Sequence, residues 1–269
     1  MDISPDIRNK ENALIERIKA AGKLAVAFSG GVDSTYLLYK AHEVLGDNAV
    51  AVTVKSQVIT KDEFEWAVSF CEKIGVKQIV LNFDVFAVEE FENNPPDRCY
   101  YCKRRIFGSI KEAAEGYVVA DGSNVDDQGD YRPGMRAIAE LGISSPLKDS
   151  GLTKNDIRML SKEADLPTWD HPSAACLASR FAYGEKITEE GLFRVAAAEK
   201  FIKDMGFTGL RVRVHGDLAR IEADPSDIEL MTYERTRKEI SAELKRLGFK
   251  YVTIDIDGYR VGSMNEVLK

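Results

Sequence analysis

The string AFSGGVDST, residues 27–35, brings together two glycines, three hydroxyl side chains and one carboxylate. An apolar run, KLAVAF, precedes it and a helical pattern, STYLLYKAHEVLG, follows. Paired glycines let backbone N–H groups approach an anion, and the positive end of a helix favours phosphate. The string therefore predicts a phosphate loop, with a capped strand-to-helix turn as the alternative. The residues expected to hold phosphate and Mg²⁺ are Ser29, Gly30, Gly31, Asp33 and Ser34.

A second polar loop, ADGSNVDDQGDYRPGMRA, spans residues 120–137 after an apolar run. We expect Gly122 to lie against the nucleotide, Asp126 or Asp127 to bind Mg²⁺, and Arg132 to bind phosphate. For any single aspartate, a solvated loop with an Asx-turn is the simpler interpretation.

Four cysteines raise a second kind of chemistry. Cys99 and Cys102 stand three apart in RCYYCK, whereas Cys71 and Cys176 stand alone. From the residues alone, the pair could be a disulfide, a zinc site, part of an iron–sulfur site or a turn. A structural zinc ion needs four ligands, and His171 is the only histidine near Cys176 in the sequence. Cys71, on a helical pattern, is predicted to be a buried hydrophobe.

Bulk properties exclude several classes of protein. The net charge of −7 argues against a surface built mainly to bind nucleic acid. The N-terminus has no apolar signal region, and no apolar stretch is long enough to span a bilayer. The expected location is the cytoplasm.

Apolar strands alternate with amphipathic helices over the first part of the chain, which predicts a parallel sheet covered on both faces. Both polar loops then fall at the carboxyl ends of strands, where such sheets bind ligands. After a junction loop at 171–188, the pattern predicts a smaller α–β–β–α–β unit with one long helix. The expected fold class is α/β, with domains at 1–170 and 171–269.

An arginine hairpin is predicted in this second domain. Arg211 and Arg213 alternate with valines, so period-2 geometry puts both on one sheet face, and Arg220 on the partner strand could join them. Such a fork suits a phosphate, although solvent-facing arginines are the common alternative. Glu199, on the preceding helix, could contact metal or substrate.

The phosphate loop lacks the lysine of a Walker loop. It resembles the PP-loop of the ATP pyrophosphatase superfamily, which includes NAD and GMP synthetases and tRNA thiolases. That resemblance implies cleavage of ATP between the α and β phosphates, adenylation of a carbonyl or carboxyl oxygen, and Mg²⁺ as the companion ion.

A more specific resemblance covers nearly the whole chain. The motifs AFSGGVDSTYLL, RCYYCKRRIF, DGSNVDDQGDYRPG, CLASRFAYGEKIT and RVRVHGDLARIE are together similar to those of the LarE family. The resemblance implies an adenine nucleotide alpha hydrolase-like domain and an ATP-dependent sulfur transferase. Its substrate would be pyridinium-3,5-biscarboxylic acid mononucleotide, on the way to the nickel-pincer nucleotide of lactate racemase. It also suggests a homo-oligomer and a sulfide or other sulfur donor.

The resemblance also assigns roles to individual residues. Cys99, Cys102 and Cys176 match family members whose cysteines resemble the ligands of a 4Fe–4S cluster, whereas other members sacrifice the sulfur of the residue matching Cys176. Asp33 and Cys176 would be catalytic, and Lys103, Arg104 and Arg105 could neutralise phosphate or the cluster. The expected substrate contacts are Ser179, Arg180, Glu199, Arg211 and Arg213. A PP-loop tRNA thiolase and a non-enzymatic nucleotide sensor are the alternatives.

Overall fold

The computed structural model describes residues 3–129, 133–171, 176–260 and 262–268. The chain forms two compact units: Met1–Val85 with Cys99–Ala174, and Phe86–Arg98 with Ala175–Lys269. The segment Phe86–Arg98 thus groups with the C-terminal part of the chain, although the sequence-based domain 1–170 includes it. The expected domain boundary at 170/171 itself stays a prediction.

The first unit alternates strands and helices, as the hydrophobic pattern predicts. Its main elements in chain order are α1 (Pro5–Ala21), β1 (Leu24–Ala27), α2 (Val32–Leu45), β2 (Ala49–Lys55), α3 (Lys61–Ile74), β3 (Gln78–Asn82), α4 (Arg98–Ala113), β4 (Val118–Ala120), α5 (Pro133–Glu140), α6 (Pro146–Asp149) and α7 (Lys154–Glu163). Helix α4 takes its first residue, Arg98, from the other unit.

The four strands of this unit form a parallel sheet in the order β3-β2-β1-β4. This confirms the expected α/β class. Strand β1 lies between β2 and β4, so the chain leaves it in one direction and returns on its other side. The loops after β1 and β4 therefore meet at the carboxyl edge of the sheet, at the switch point where such folds bind ligands.

Apolar side chains cover both faces of the sheet. One core joins alternate residues of β1, such as Leu24 and Val26, to helices α1, α2, α3 and α7. The other joins Ala25 and Val50 to α4 and α5. Because successive strand residues point to opposite faces, each buried strand supplies both cores. The result is a rigid three-layer support for the loops at the sheet edge.

The second unit is built on a smaller sheet. Its elements are α8 (Glu189–Asp204), β5 (Arg211–His215), β6 (Leu218–Glu222), α9 (Pro225–Thr232), α10 (Glu234–Arg246) and β7 (Tyr251–Ile254). Strands β5 and β6 form the predicted antiparallel hairpin, and β7 lies parallel to β6.

The long helix predicted after the hairpin is wrong in one respect. It is two helices, because Tyr233 leaves the helical region with φ −58° and ψ 142° between α9 and α10. Within the described ranges, no helix is both long and apolar enough to cross a membrane.

Candidate functional site

The phosphate loop connects β1 to α2 with the geometry that its sequence predicts. Gly30 has φ +78°, in the left-handed region that favours glycine. Gly31, in contrast, is extended at φ −75° and is the N-cap of α2. Only one glycine of the pair therefore needs positive φ. The Ser34 hydroxyl donates to the Gly31 carbonyl (3.1 Å) and accepts from the Ser29 backbone N–H (3.3 Å), which closes the loop on itself.

Two close approaches shape this loop. A Cβ atom on Gly30 would stand 3.0 Å from the Trp66 ring of α3. A Cβ atom on Gly122 would stand 3.1 Å from the Ser34 backbone nitrogen. Gly122 therefore lets the loop after β4 reach the N-terminus of α2, which is the position predicted for a nucleotide-binding glycine.

Asp33 is held at the start of α2 by two side chains that come from distant parts of the first unit. Its Oδ2 atom accepts from Lys154 Nζ at 2.5 Å, and its Oδ1 atom accepts from Asn124 Nδ2 at 3.3 Å. The side chains of Asp33 and Lys154 are 20% and 27% exposed. A cation thus stands beside the phosphate loop, although the loop itself contains no lysine.

Lys154 is a site residue that the sequence analysis did not identify. It opens helix α7, where Thr153 and Asp156 form a capping box. The capping motif in LTKND was readable from the sequence and predicts a helix start. The contact with Asp33 was not, because it spans 121 positions of the chain.

The predicted metal ligands of the second loop already have hydrogen-bond partners. Asp126 is exposed, and its Oδ2 atom accepts from the Lys154 backbone N–H at 2.8 Å. Asp127 Oδ2 accepts from the Asn124 backbone N–H at 3.0 Å. Both aspartates thereby shape the loop that carries Asn124. Arg132, predicted to bind phosphate, lies outside the described residues.

The cysteine pair lies in the first turn of α4, whereas the sequence analysis placed it ahead of the helix. Cys99 and Cys102 are separated by three residues, so they share one helix face, and both are half-buried. The aliphatic chain of Lys103 packs on Gly134, where an added Cβ would stand 2.6 Å from Lys103 Cδ. Lys103 therefore anchors α4 to α5.

Cys176 is exposed and directly precedes a 3₁₀ turn, Leu177–Arg180, in the second unit. Its carbonyl oxygen accepts from the Ser179 backbone N–H at 2.9 Å and from Arg180 Nη1 at 3.2 Å. The thiol therefore sits at the start of a turn whose backbone is well bonded.

Arg180 and Glu199 form a buried ion pair, each about 3% exposed. Two parallel hydrogen bonds join them, at 2.8 and 3.0 Å, and Glu199 also accepts from the Val212 backbone N–H at 3.0 Å. Burial raises the pKa of Glu199, but the bonds and charge of Arg180 outweigh it, so the pKa lies below its ordinary value. Both side chains were predicted to contact substrate; the structure places them in one bidentate pair.

Arg213 forms a second buried pair, with Glu222 of the neighbouring strand. Its Nη2 atom donates to Glu222 Oε2 at 2.7 Å, and Ser263 Oγ donates to Glu222 Oε1 at 2.9 Å. Arg220 also donates to Glu222, at 3.1 Å, so the predicted arginine grouping across the hairpin exists. The arginines gather around a carboxylate that the sequence analysis did not single out.

Arg211 is buried on the same strand as Arg213. Its guanidinium lies 5.2 Å from the centre of the Tyr259 ring, and its Nη1 atom donates to the Leu210 carbonyl at 2.7 Å. Burial lowers the pKa of Arg211 below its ordinary value, and the nearby charge of Arg180 lowers it further. An anion would relieve this repulsion, which fits the predicted phosphate contact.

The remaining thiol behaves as predicted. Cys71 on α3 is 1% exposed within the core of the first unit. Burial raises the pKa of its thiol to about 12, so it stays protonated and unreactive.

No group of three or more His, Cys, Asp and Glu side chains that could hold a metal ion is present within the ranges that the structure describes. The predicted ligand sets around Asp126 and around the three cysteines therefore stay predictions.

Comparison with known proteins identifies relatives along the full chain. A family model described as asparagine synthase matches residues 11–114, which contain the phosphate loop. An uncharacterized protein of Synechocystis sp., slr1717, is 40% identical over 246 residues, covering 90% of this chain and 92% of the relative. The synthase component of a glutamine-hydrolyzing GMP synthase from Thermoplasma volcanium is 28% identical over 177 residues, covering 55% of this chain and 53% of the relative.

A further relative is the pyridinium-3,5-bisthiocarboxylic acid mononucleotide synthase of Lactiplantibacillus plantarum. It is 36% identical over 266 residues, which cover 97% of this chain and 96% of the relative. The similarity thus includes the phosphate loop, the cysteine helix and the arginine hairpin. With its PP-loop on a parallel sheet, this protein is an ATP-using enzyme, and the chain belongs to the LarE family.

Proposed function

We propose that this enzyme is an ATP-dependent sulfur transferase acting on pyridinium-3,5-biscarboxylic acid mononucleotide, in the synthesis of the nickel-pincer nucleotide of lactate racemase. The observation that carries the proposal is the similarity to the bisthiocarboxylic acid synthase along 97% of the chain. Because that similarity runs through both compact units, it supports a shared reaction better than a shared fold alone.

The proposed reaction has two steps. A substrate carboxylate oxygen attacks the α-phosphorus of ATP, the bond between the α and β phosphates breaks, and pyrophosphate leaves. A sulfur nucleophile then attacks the carbonyl carbon of the acyl-adenylate, and AMP leaves with the original carboxylate oxygen. Two rounds on one nucleotide would give the bisthiocarboxylate.

The first unit supports the ATP step. The loop at Gly30 and Gly31 offers backbone N–H groups and the N-terminus of α2 to phosphate. Lys154 is positioned to neutralise phosphate charge, and Asp33 would move from the lysine to Mg²⁺ when the triphosphate binds. Each proposed contact uses groups that already meet at the carboxyl edge of the sheet.

The second unit supports substrate binding. The buried guanidinium of Arg211 lies where the charge of Arg180 opposes its own, so the phosphate of a nucleotide would be stabilised there. Arg213 would contribute as part of the same arginine grouping, from the fixed orientation that Glu222 gives it.

The sulfur source is the most specific part of the proposal. Cys99, Cys102 and Cys176 would hold a 4Fe–4S cluster, whose iron without a protein ligand would carry an extra sulfide. The donor chemistry fits in part: one helical turn presents two thiols, and Cys176 is exposed on the second unit. Because no three-ligand group is formed within the described ranges, the two transfer steps are derived without the cluster.

Product analysis tests the ATP step. The purified protein is incubated with Mg²⁺, α-labelled ATP and the biscarboxylic nucleotide, and the labelled products are separated. We expect AMP and pyrophosphate in equal amounts, and a substrate mass that increases by one oxygen-to-sulfur exchange per carboxylate. Formation of ADP, or ATP bound without turnover, would contradict the proposal.

A second experiment tests the sulfur source. Protein purified without oxygen is assayed for iron, sulfide and visible absorbance, and the Cys176 peptide is weighed after turnover. The cluster predicts about four irons per chain and an intact Cys176. If Cys176 loses the elements of H₂S in iron-free protein, the cysteine itself is the donor and the cluster assignment fails.

A further inference from the structure

The turn after Cys176 has its backbone oxygens bonded to three buried arginines. Arg180 donates to the carbonyl of Cys176 at 3.2 Å, Arg98 to that of Ala178 at 3.1 Å and Arg213 to that of Ser179 at 3.1 Å. These arginines are only 3–5% exposed. Three hydrogen bonds from charged donors make this short turn rigid where it adjoins the thiol.

Each arginine is itself oriented by another side chain. Glu199 aligns Arg180 and Glu222 aligns Arg213, in both cases through a carboxylate. Arg98 is aligned differently: its Nη1 atom donates to the side-chain oxygen of Asn94, four residues earlier. An amide holds the guanidinium without neutralising it.

Asn94 is unusual in two ways. It is fully buried, and its φ of +48° lies in the left-handed region, which costs a non-glycine residue about 1 kcal/mol. Its side-chain nitrogen donates to the carbonyls of Phe181 (3.4 Å) and Ala182 (2.7 Å), and its own carbonyl accepts from Gly184 N–H (2.9 Å). It therefore bonds the segment that directly follows the Cys176 turn.

The segment Phe86–Arg98 belongs to the second unit although the residues on both sides of it belong to the first. Its hydrogen bonds to the turn and to residues 181–184 explain this grouping. The segment ends at Arg98, whose next neighbour in the chain is Cys99. The same residue that fixes the Cys176 turn is thus covalently joined to the cysteine pair.

We infer that Asn94 and Arg98 are positioning residues for Cys176: they hold the turn that presents its thiol for sulfur transfer. This inference rests on the proposed function for its catalytic meaning, but not for its structural content. Precise placement matters because a displacement of about 1 Å at a reacting atom can cost about a hundredfold in rate.

Three variants test the inference in the full chain. Asn94→Gly keeps the left-handed backbone and removes the side-chain hydrogen bonds. Arg98→Gln removes the guanidinium, and Arg98→Lys keeps charge and length but not the planar fork. Arg235→Gln, an arginine whose side chain is 90% exposed on α10, is the matched control.

The first readout is independent of the enzyme reaction. The rate at which iodoacetamide alkylates Cys176 is followed by peptide mass spectrometry, with urea unfolding in parallel. We expect the rate to change at least fivefold in Asn94→Gly and Arg98→Gln, to return toward wild type in Arg98→Lys, and to be unchanged in Arg235→Gln. Unchanged alkylation in cooperatively folded variants would overturn the inference.

The second readout separates the two reaction steps. We expect sulfur transfer to fall about tenfold to a hundredfold in kcat, with KM for ATP and pyrophosphate formation within twofold of wild type. If wild type forms no pyrophosphate, the proposed function fails while the alkylation result still decides the positioning role. If all three variants lose cooperative unfolding, or pyrophosphate formation falls equally with sulfur transfer, the residues are merely structural and the inference is rejected.

Discussion

The phosphate loop of the first unit and the Cys176 turn of the second unit position their chemistry in opposite ways. The phosphate loop is formed by backbone conformation, with one left-handed glycine and small side chains that permit close approach. The Cys176 turn is held by long charged side chains that donate to its carbonyls. The loop leaves its N–H groups available to a ligand, whereas the turn has its carbonyl groups occupied by the protein. One region is shaped to receive a variable partner and the other to keep a reactive group still.

Replacing Cys176 gives the largest expected separation between the two regions. Cys176→Ala should reduce sulfur transfer at least about a thousandfold, because the proposed sulfur ligand is removed. Pyrophosphate formation, which belongs to the first unit, should stay within twofold. Both products are measured in one labelled-ATP assay, with Cys71→Ala as the thiol control. Equal loss of both activities would show that the regions are not separable.

Glu199→Gln tests how far the Cys176 turn depends on buried charge. Removing the carboxylate leaves Arg180 buried without its ion pair, which should lower the free energy of unfolding by about 3 kcal/mol at pH 7. Urea unfolding measures this cost, and Glu239→Gln on the exposed face of α10 is the control.

The same variant predicts a pH dependence. The pKa of Glu199 is depressed in the folded protein, so its stabilisation is present above the unfolded pKa of about 4.3 and is lost as pH falls through the lower, folded pKa. The stability difference between wild type and Glu199→Gln should therefore be constant from about pH 6 to 8 and narrow below about pH 4. A difference that grows on acidification would contradict the assigned charge state.

Lys154→Met tests the charged member of the first region. Loss of the cation should reduce pyrophosphate formation about a hundredfold, since one preformed electrostatic contact to phosphate is removed. Alkylation of Cys176 should be unaffected. Lys61→Met, a lysine with an 82% exposed side chain, is the control, and an unchanged rate in Lys154→Met would exclude Lys154 from the ATP step.

The smallest predicted effect concerns glycine geometry. Gly30→Ala should lower the free energy of unfolding by about 2 kcal/mol, because it combines positive φ with a 3.0 Å approach to Trp66. Gly116→Ala shares the positive φ but has no atom within 4 Å, so it should cost about 1 kcal/mol. Equal costs, measured by urea unfolding, would show that close packing is unimportant at the phosphate loop.

The sequence predicted the first region better than the second, for a physical reason. A strand, a glycine pair and a helix start are consecutive in the chain, so local patterns determine the phosphate loop. Lys154, Arg98 and Glu222 act through contacts between residues 121, 80 and 9 positions apart. The burial of Arg213 was also unreadable, because alternation shows which residues share a face but not whether that face meets water.

The path of Phe86–Arg98 has a consequence for how such a protein can be dissected or recombined. A fragment ending at residue 170 would carry Asn94 away from Phe181 and Ala182, and would leave buried Phe91 in a segment without its own unit. A hybrid gene that joins the N-terminal part of one relative to the C-terminal part of another at that point would inherit the same mismatch. Exchange would be better tolerated if residues 86–98 travelled together with the C-terminal part, as a two-piece module.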